Sequence, residues 1–86
     1  HPQTTPTNHH RGLVLARQNK FKEALPYYQK VLKQQPDFTA SRFNLGYALL
    51  KLGNKKDGQA ELQKLMKLPD SDPFKQKARE LLTGPN

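Results

Sequence analysis

Between Phe21 and Leu32, apolar residues recur three and four positions apart: Phe21, Ala24, Leu25, Tyr28, Val31 and Leu32. That spacing is the period of an amphipathic helix. Pro26 falls just after the first turn, where a missing N–H costs less than it would deeper in the helix. Gln35-Pro36-Asp37 stops the pattern. Upstream, a helical pattern begins near Asn8, carries Leu13, Val14 and Ala16, and runs into the polar break Gln18-Asn19-Lys20. Residues 1–7, rich in Pro and Thr and without apolar anchors, read as a flexible arm. Downstream, Phe43, Leu45, Gly46, Leu49, Leu50 and Leu52 form a third helix, with Asp37 or Thr39 as its cap and Gly53-Asn54 as its end. Ala60, Leu62, Leu65, Met66 and Leu68 carry a fourth as far as Pro69. The last helix has the clearest punctuation: Asp72 caps, Pro73 takes the first helical position, Phe74, Ala78, Leu81 and Leu82 form a stripe, and Gly84-Pro85 closes it. No segment alternates with period two, so an all-α fold of five helices is expected.

Two glycines stand out against this pattern. Gly46 sits in mid-helix and Gly58 soon after a break, and a mid-helix glycine costs about 1 kcal/mol relative to alanine. Close approach of two backbones would offset that cost. Sliding the chain by 34 residues shows that the glycines are part of a repeat. Thr5 then meets Thr39, Gly12 meets Gly46, Leu15 meets Leu49, Lys22 meets Lys56, Gln29-Lys30 meets Gln63-Lys64, and Lys33 meets Lys67.

A helix–turn–helix unit recurring at 34 residues, with Asn44-Leu45-Gly46, Ala24-x3-Tyr28 and Pro36 at their places, resembles the tetratricopeptide repeat. The resemblance implies an α-α superhelix: one helical hairpin over 8–38, a second over 39–72, and a capping helix over 73–84. It implies that small residues face each other within each hairpin, Gly46 against Gly58 and Gly12 against Ala24. Some positions depart from the family pattern. Asn8 and Arg42 occupy the large aromatic position, Arg11 stands for Leu, Gly58 for Ala, and Asp70 for Pro. Arrays of this kind generally need about three units to stand alone. Two units and a cap therefore suggest a piece of a longer array or a chain that pairs with a copy of itself, for instance by exchanging its first helix pair.

The resemblance also implies a function and a site. Such repeats hold a peptide or a partner helix on the concave face lined by the first helix of each pair. Transferred position by position, that face carries His9, Leu13 and Arg17, then Phe43, Asn44, Tyr47 and Lys51, then Phe74 and Lys77. Phe43 and Tyr47 would supply apolar area, Asn44 would bond a peptide backbone, and Arg17 and Lys51 would attract a carboxylate. A protein segment that is acidic or ends in a free C-terminus suits this set. The Lys, Asn and Arg clamp of the chaperone-tail members is matched well only by Asn44, so chaperone binding is not expected.

Charge adds a second candidate surface. The chain has fifteen Lys and Arg against seven Asp and Glu, a net charge of +8. Lys22, Lys30 and Lys33 share one arc of a helix, and Lys56, Lys64 and Lys67 repeat them. In the stacked units they would form a basic convex stripe, either a solvated face or an attachment site for nucleic acid or an anionic membrane surface. Against nucleic acid, Tyr27 is the only aromatic interleaved with these lysines and no reading motif is present.

Other chemistry is poorly supplied. The chain has no cysteine, and its mean hydropathy of −0.94 is polar for a self-sufficient core. No stretch approaches the ~18 apolar residues of a membrane span. His1, His9 and His10 do not read as a metal site, because adjacent histidines point apart on a helix and no carboxylate lies within a turn. Ser41, Ser71 and the threonines have no evident base beside them, and Asp70 and Asp72 belong to a helix start. No enzyme activity and no cofactor are expected.

Overall fold

The structure, a computed structural model, describes residues 4–84. Five α-helices follow one another: α1 (Thr4–Arg17), α2 (Phe21–Gln34), α3 (Thr39–Lys51), α4 (Lys55–Leu65) and α5 (Pro73–Thr83). There is no strand among the described residues. α1 packs along α2 and α3 along α4, which makes two hairpins, and α2 against α3 joins them. α5 lies against both α3 and α4, while α1 touches α3. The result is two layers, α1–α3–α5 and α2–α4.

The turns inside the hairpins repeat as faithfully as the helices. Asn19 and Gly53, 34 residues apart, are the two described residues with left-handed backbone, at φ 62° and 86°. Each ends its helix in the same way. Lys20 N–H donates to Leu15 O at 2.8 Å, and Asn54 N–H donates to Leu49 O at 2.9 Å. These bonds span five residues around a left-handed residue, which satisfies carbonyls that the helix end leaves free. Glycine adopts this conformation without strain and asparagine is among the residues that tolerate it.

Close approach explains the glycines in the second hairpin. A Cβ on Gly46 would lie 3.2 Å from Gly58 O, and one on Gly58 would lie 2.9 Å from Gly46 O. The two backbones are therefore in direct contact, as the resemblance implies. The first hairpin differs. The atoms nearest a Cβ on Gly12 belong to the Tyr28 ring, at 2.6 Å, rather than to Ala24. Tyr28 is a turn further along α2 and fully buried, so Gly12 makes room for a ring instead of a backbone.

Two clusters form the core. Ala24, Tyr28 and Leu45 join the hairpins, with Leu15, Leu25, Leu32 and Leu49 against them. Leu62, Leu65 and Ala78 hold α5 to α4, with Phe43, Leu50, Phe74 and Leu81 among the side chains around them. Burying a side chain such as Leu62 or Leu65 contributes roughly 1.5–3 kcal/mol.

Three details differ from the expected pattern. α1 begins at Thr4, earlier than Asn8, so residues 4–7 belong to the helix rather than to an arm, while residues 1–3 lie outside the described residues. Burial of Thr5 and its hydroxyl bond to Gln34 Oε1 at 2.7 Å hold that first turn to the end of α2. α3 starts without a side-chain cap. Phe38 takes the cap position, so neither Asp37 nor Thr39 caps it. α5 starts as expected, with Asp72 accepting from Phe74 N–H at 2.8 Å and Pro73 in the first turn. Just before it, Lys75 Nζ bonds Asp70 at 2.7 Å and holds that carboxyl below the usual range.

Candidate functional site

An aromatic cluster links α3 to α5 and takes in one ring from α2. Phe43 and Tyr47, one turn apart on α3, stack with centroids 6.4 Å apart and planes 18° apart. Phe43 also meets Phe74 of α5 at 5.8 Å, and Phe21 of α2 meets the Tyr47 ring edge-on at 6.0 Å. Such offset and edge contacts suit the ring quadrupole, with its negative face and positive rim. Phe43 and Phe74 rest one side on the second core cluster; Tyr47 belongs to neither cluster. All four rings stay partly exposed.

Two cations complete the cluster. Lys51 Nζ lies 5.5 Å from the Tyr47 centroid and Lys77 Nζ lies 5.1 Å from that of Phe74, both within cation–π range. Both lysines are exposed, and neither has a carboxylate partner among the described residues. Five of the nine residues transferred to this face, Phe43, Tyr47, Lys51, Phe74 and Lys77, are thus joined by contacts.

The other four are placed differently. His9 turns into the junction of α1 with α3: Nδ1 is 2.6 Å from Ser41 Oγ, and the ring lies 4.9 Å from Phe38 and 6.2 Å from Tyr28. Burial and the neighbouring His10 lower its pKa. This corrects the expectation that Ser41 has no base beside it. Ser41 is nevertheless fully buried, where a substrate carbonyl cannot reach its oxygen. Asn44 donates to Ala40 O at 2.9 Å, so one amide hydrogen is already used within α3. Leu13 is half-buried and Arg17 exposed. Sequence reasoning missed Phe21 as a neighbour of Tyr47. Its place on the apolar stripe of α2 marks it for burial without saying that it meets α3.

Hollows of about 300 and 260 Å³ lie elsewhere, one lined by Gln59, Gln63, Met66, Arg79, Leu82 and Thr83, the other by His10, Arg11, Val14, Leu15 and Tyr27. The aromatic cluster suits a chain segment laid across it.

On the opposite layer, Lys22, Lys30, Lys33, Lys56, Lys64 and Lys67 are all exposed on α2, on α4 or just after it. Of the six, Lys64 alone is ion-paired among the described residues, with Glu61 at 3.3 Å. Lys30 Nζ rests 5.7 Å from the Tyr27 ring centroid.

The sequence profile of the tetratricopeptide repeat family matches residues 15–83. The chain belongs to the tetratricopeptide repeat family. Among relatives, DnaJ homolog subfamily C member 3 of mouse is 36% identical over 70 residues, which is 81% of this chain and 13% of the mouse protein. The human protein of the same name is 33% identical over 72 residues, or 84% of this chain and 14% of its own length. The chain thus spans about a seventh of these relatives. No solved structure matches it.

Membership gives the two-layer arrangement its meaning. Tetratricopeptide repeats form an all-α superhelix that serves as a protein-interaction fold and is not built around catalysis. Where this chain departs from the repeat pattern, local bonds take over. Arg42, at the usual aromatic position, donates to Glu61 Oε1 at 2.8 Å and to Pro36 O at 2.9 Å. It ties α3 to α4 and to the turn before it by polar contacts where other repeats use a ring.

Proposed function

We propose that this tetratricopeptide module holds a peptide or partner helix across the α1–α3–α5 face, with Phe43, Tyr47 and Phe74 as the apolar floor. The observation that carries the reading is the cluster itself: partly exposed rings in mutual contact, bordered by Lys51 and Lys77, on the layer that the family's fold leaves for partners. Tyr47 is the critical side chain, because it lies outside both core clusters and its removal costs the fold little. The test is a selection of peptides from a random library against the intact chain, followed by titration of the selected peptides. Tyr47→Ala is expected to weaken them at least about tenfold, the loss typical of an aromatic anchor. Peptides that bind the variant as well as the parent would place the site elsewhere.

The exposed lysines of α2 and α4 support a second reading, attachment of the outer layer to nucleic acid or to an anionic membrane. Reversing Lys30, Lys33, Lys64 and Lys67 to Glu separates the two. Groove binding would survive the change. Polyanion binding would be lost, and in the parent it would fall steeply with salt.

A further inference from the structure

Resting on the groove reading above, we infer that Phe21 is a positioning residue of the binding face: from the start of the outer-layer helix α2 it holds the Tyr47 ring in the orientation that receives the partner. The 34-residue register sets this contact apart from the framework. Phe21 opens α2, and its counterpart Lys55 opens α4. Tyr47 of α3 has Leu81 of α5 as its counterpart, and Leu81 packs against the second core cluster. The α4–α5 junction is therefore held by Leu62, Leu65 and Ala78, with no ring pair at these two positions. The α2–α3 junction has its own core in Ala24, Tyr28 and Leu45, and neither Phe21 nor Tyr47 belongs to either cluster. Both rings stay partly exposed. Packing one helix pair on the next does not call for them.

The contact is stiffly mounted. Phe21 follows directly on the turn in which Asn19 takes left-handed backbone and Lys20 N–H donates to Leu15 O at 2.8 Å. One turn later Ala24 is fully buried, and its N–H donates to Lys20 O at 3.1 Å. The backbone that carries Phe21 is thus fixed on both sides. Its ring meets Tyr47 at 6.0 Å with planes 71° apart, the edge-to-face arrangement that ring quadrupoles favour. Phe43 lies nearly parallel to Tyr47 at 6.4 Å, and Lys51 Nζ sits 5.5 Å from its centroid. A half-exposed tyrosine without such neighbours would lose rotamer freedom when a partner immobilised it. Here much of that loss is met on folding, so more of the contact appears as affinity.

The experiment uses the intact chain and fluorescein-labelled peptides selected on it from a random library, read by anisotropy. Phe21→Ala should weaken peptides that depend on Tyr47 by roughly two- to tenfold, the worth of an edge-to-face pair. In a Tyr47→Ala background the same change should do nothing more, because Phe21 acts through that ring. Phe21→Leu keeps apolar bulk without an aromatic edge and should bind as poorly as the alanine variant, while Phe21→Tyr should bind like the parent. The urea midpoint of Phe21→Leu should match the parent, which separates a lost contact from a lost fold. Binding that falls in step with the midpoint across the three variants would make Phe21 a framework residue and overturn the inference. So would undiminished binding by Phe21→Ala, or a loss that adds to that of Tyr47→Ala and so marks direct contact with the peptide. In each of these cases sensitivity to Tyr47→Ala leaves the groove reading standing. Peptides indifferent to Tyr47→Ala, or a library that yields none, would overturn both.

Discussion

Replacing Gly58 by alanine sets two effects against each other. Alanine favours helix by about 1 kcal/mol over glycine, and the first hairpin already carries Ala24 at the equivalent position, so local rules favour the change. The distances oppose it. The new Cβ would lie 2.9 Å from Gly46 O and 2.9 Å from Leu50 Cδ2, where ordinary contacts begin near 3.4 Å. The carbonyl belongs to a helix backbone and cannot swing aside, so α3 and α4 must part by about half an ångström. Overpacking of this kind costs typically 1–3 kcal/mol. Parting the hairpin also loosens Leu62, which lies one turn after Gly58 on α4 and packs on Gly46. The net expectation is a loss of about 1–2 kcal/mol, or roughly 5–10 °C in melting midpoint for a chain of this size. Urea and thermal unfolding followed by circular dichroism at 222 nm would measure it, with the exposed Gln63→Ala in α4 as the reference for propensity alone. A Gly58→Ala midpoint equal to or above the parent would refute the claim that backbone contact sets the spacing of this hairpin.

Tyr28→Phe should raise stability by about 1 kcal/mol, because the buried hydroxyl finds no hydrogen-bond partner among the described residues and its removal takes away a desolvation cost; a drop in stability would show that the hydroxyl is bonded after all. The same burial pushes the Tyr28 phenol up to about 12, so one phenol should titrate in the ultraviolet well above the ordinary tyrosine value of about 10, and Tyr28→Phe should remove that step. For His9, burial favours the neutral ring in the folded chain. The unfolded chain therefore takes up the proton first as pH falls, so this contribution is complete above about pH 6.5 and shrinks below it. Urea midpoints measured between pH 8 and 5 should fall on the acid side, and His9→Gln should flatten that slope; an unchanged slope assigns it to another group. Arg42→Ala should cost about 2 kcal/mol, since it strips a half-buried ion pair and the bond to Pro36 O together; a midpoint within experimental error of the parent would make those bonds incidental.

Much of the architecture was legible in the sequence because the rules that set it act over a few residues. Apolar spacing of three and four defines each helix, Asp72 and Pro73 start the last one, and Gly53 ends the third. The recurrence at 34 residues then fixes how the helices pair, since one hairpin solution serves twice. The cost of two such glycines pointed to a close backbone approach, and the resemblance to the tetratricopeptide repeat named the pair, Gly46 with Gly58. The aromatic and lysine positions on the α1–α3–α5 layer were also legible, as places on a face.

What each of those side chains does once there was settled only by the tertiary structure. His9 and Phe43 occupy equivalent positions in the two units. Yet His9 turns to a buried serine while Phe43 stacks on Tyr47, because α1 has a neighbour on one side only and α3 is flanked by both α1 and α5. Phe21 meets Tyr47, Gly12 meets a ring instead of Ala24, and Arg42 finds Glu61, each through a contact between different helices. A periodic pattern states which face of a helix is apolar. It is silent on which atoms of the next helix that face will meet, because those distances follow from how all five helices share the available volume.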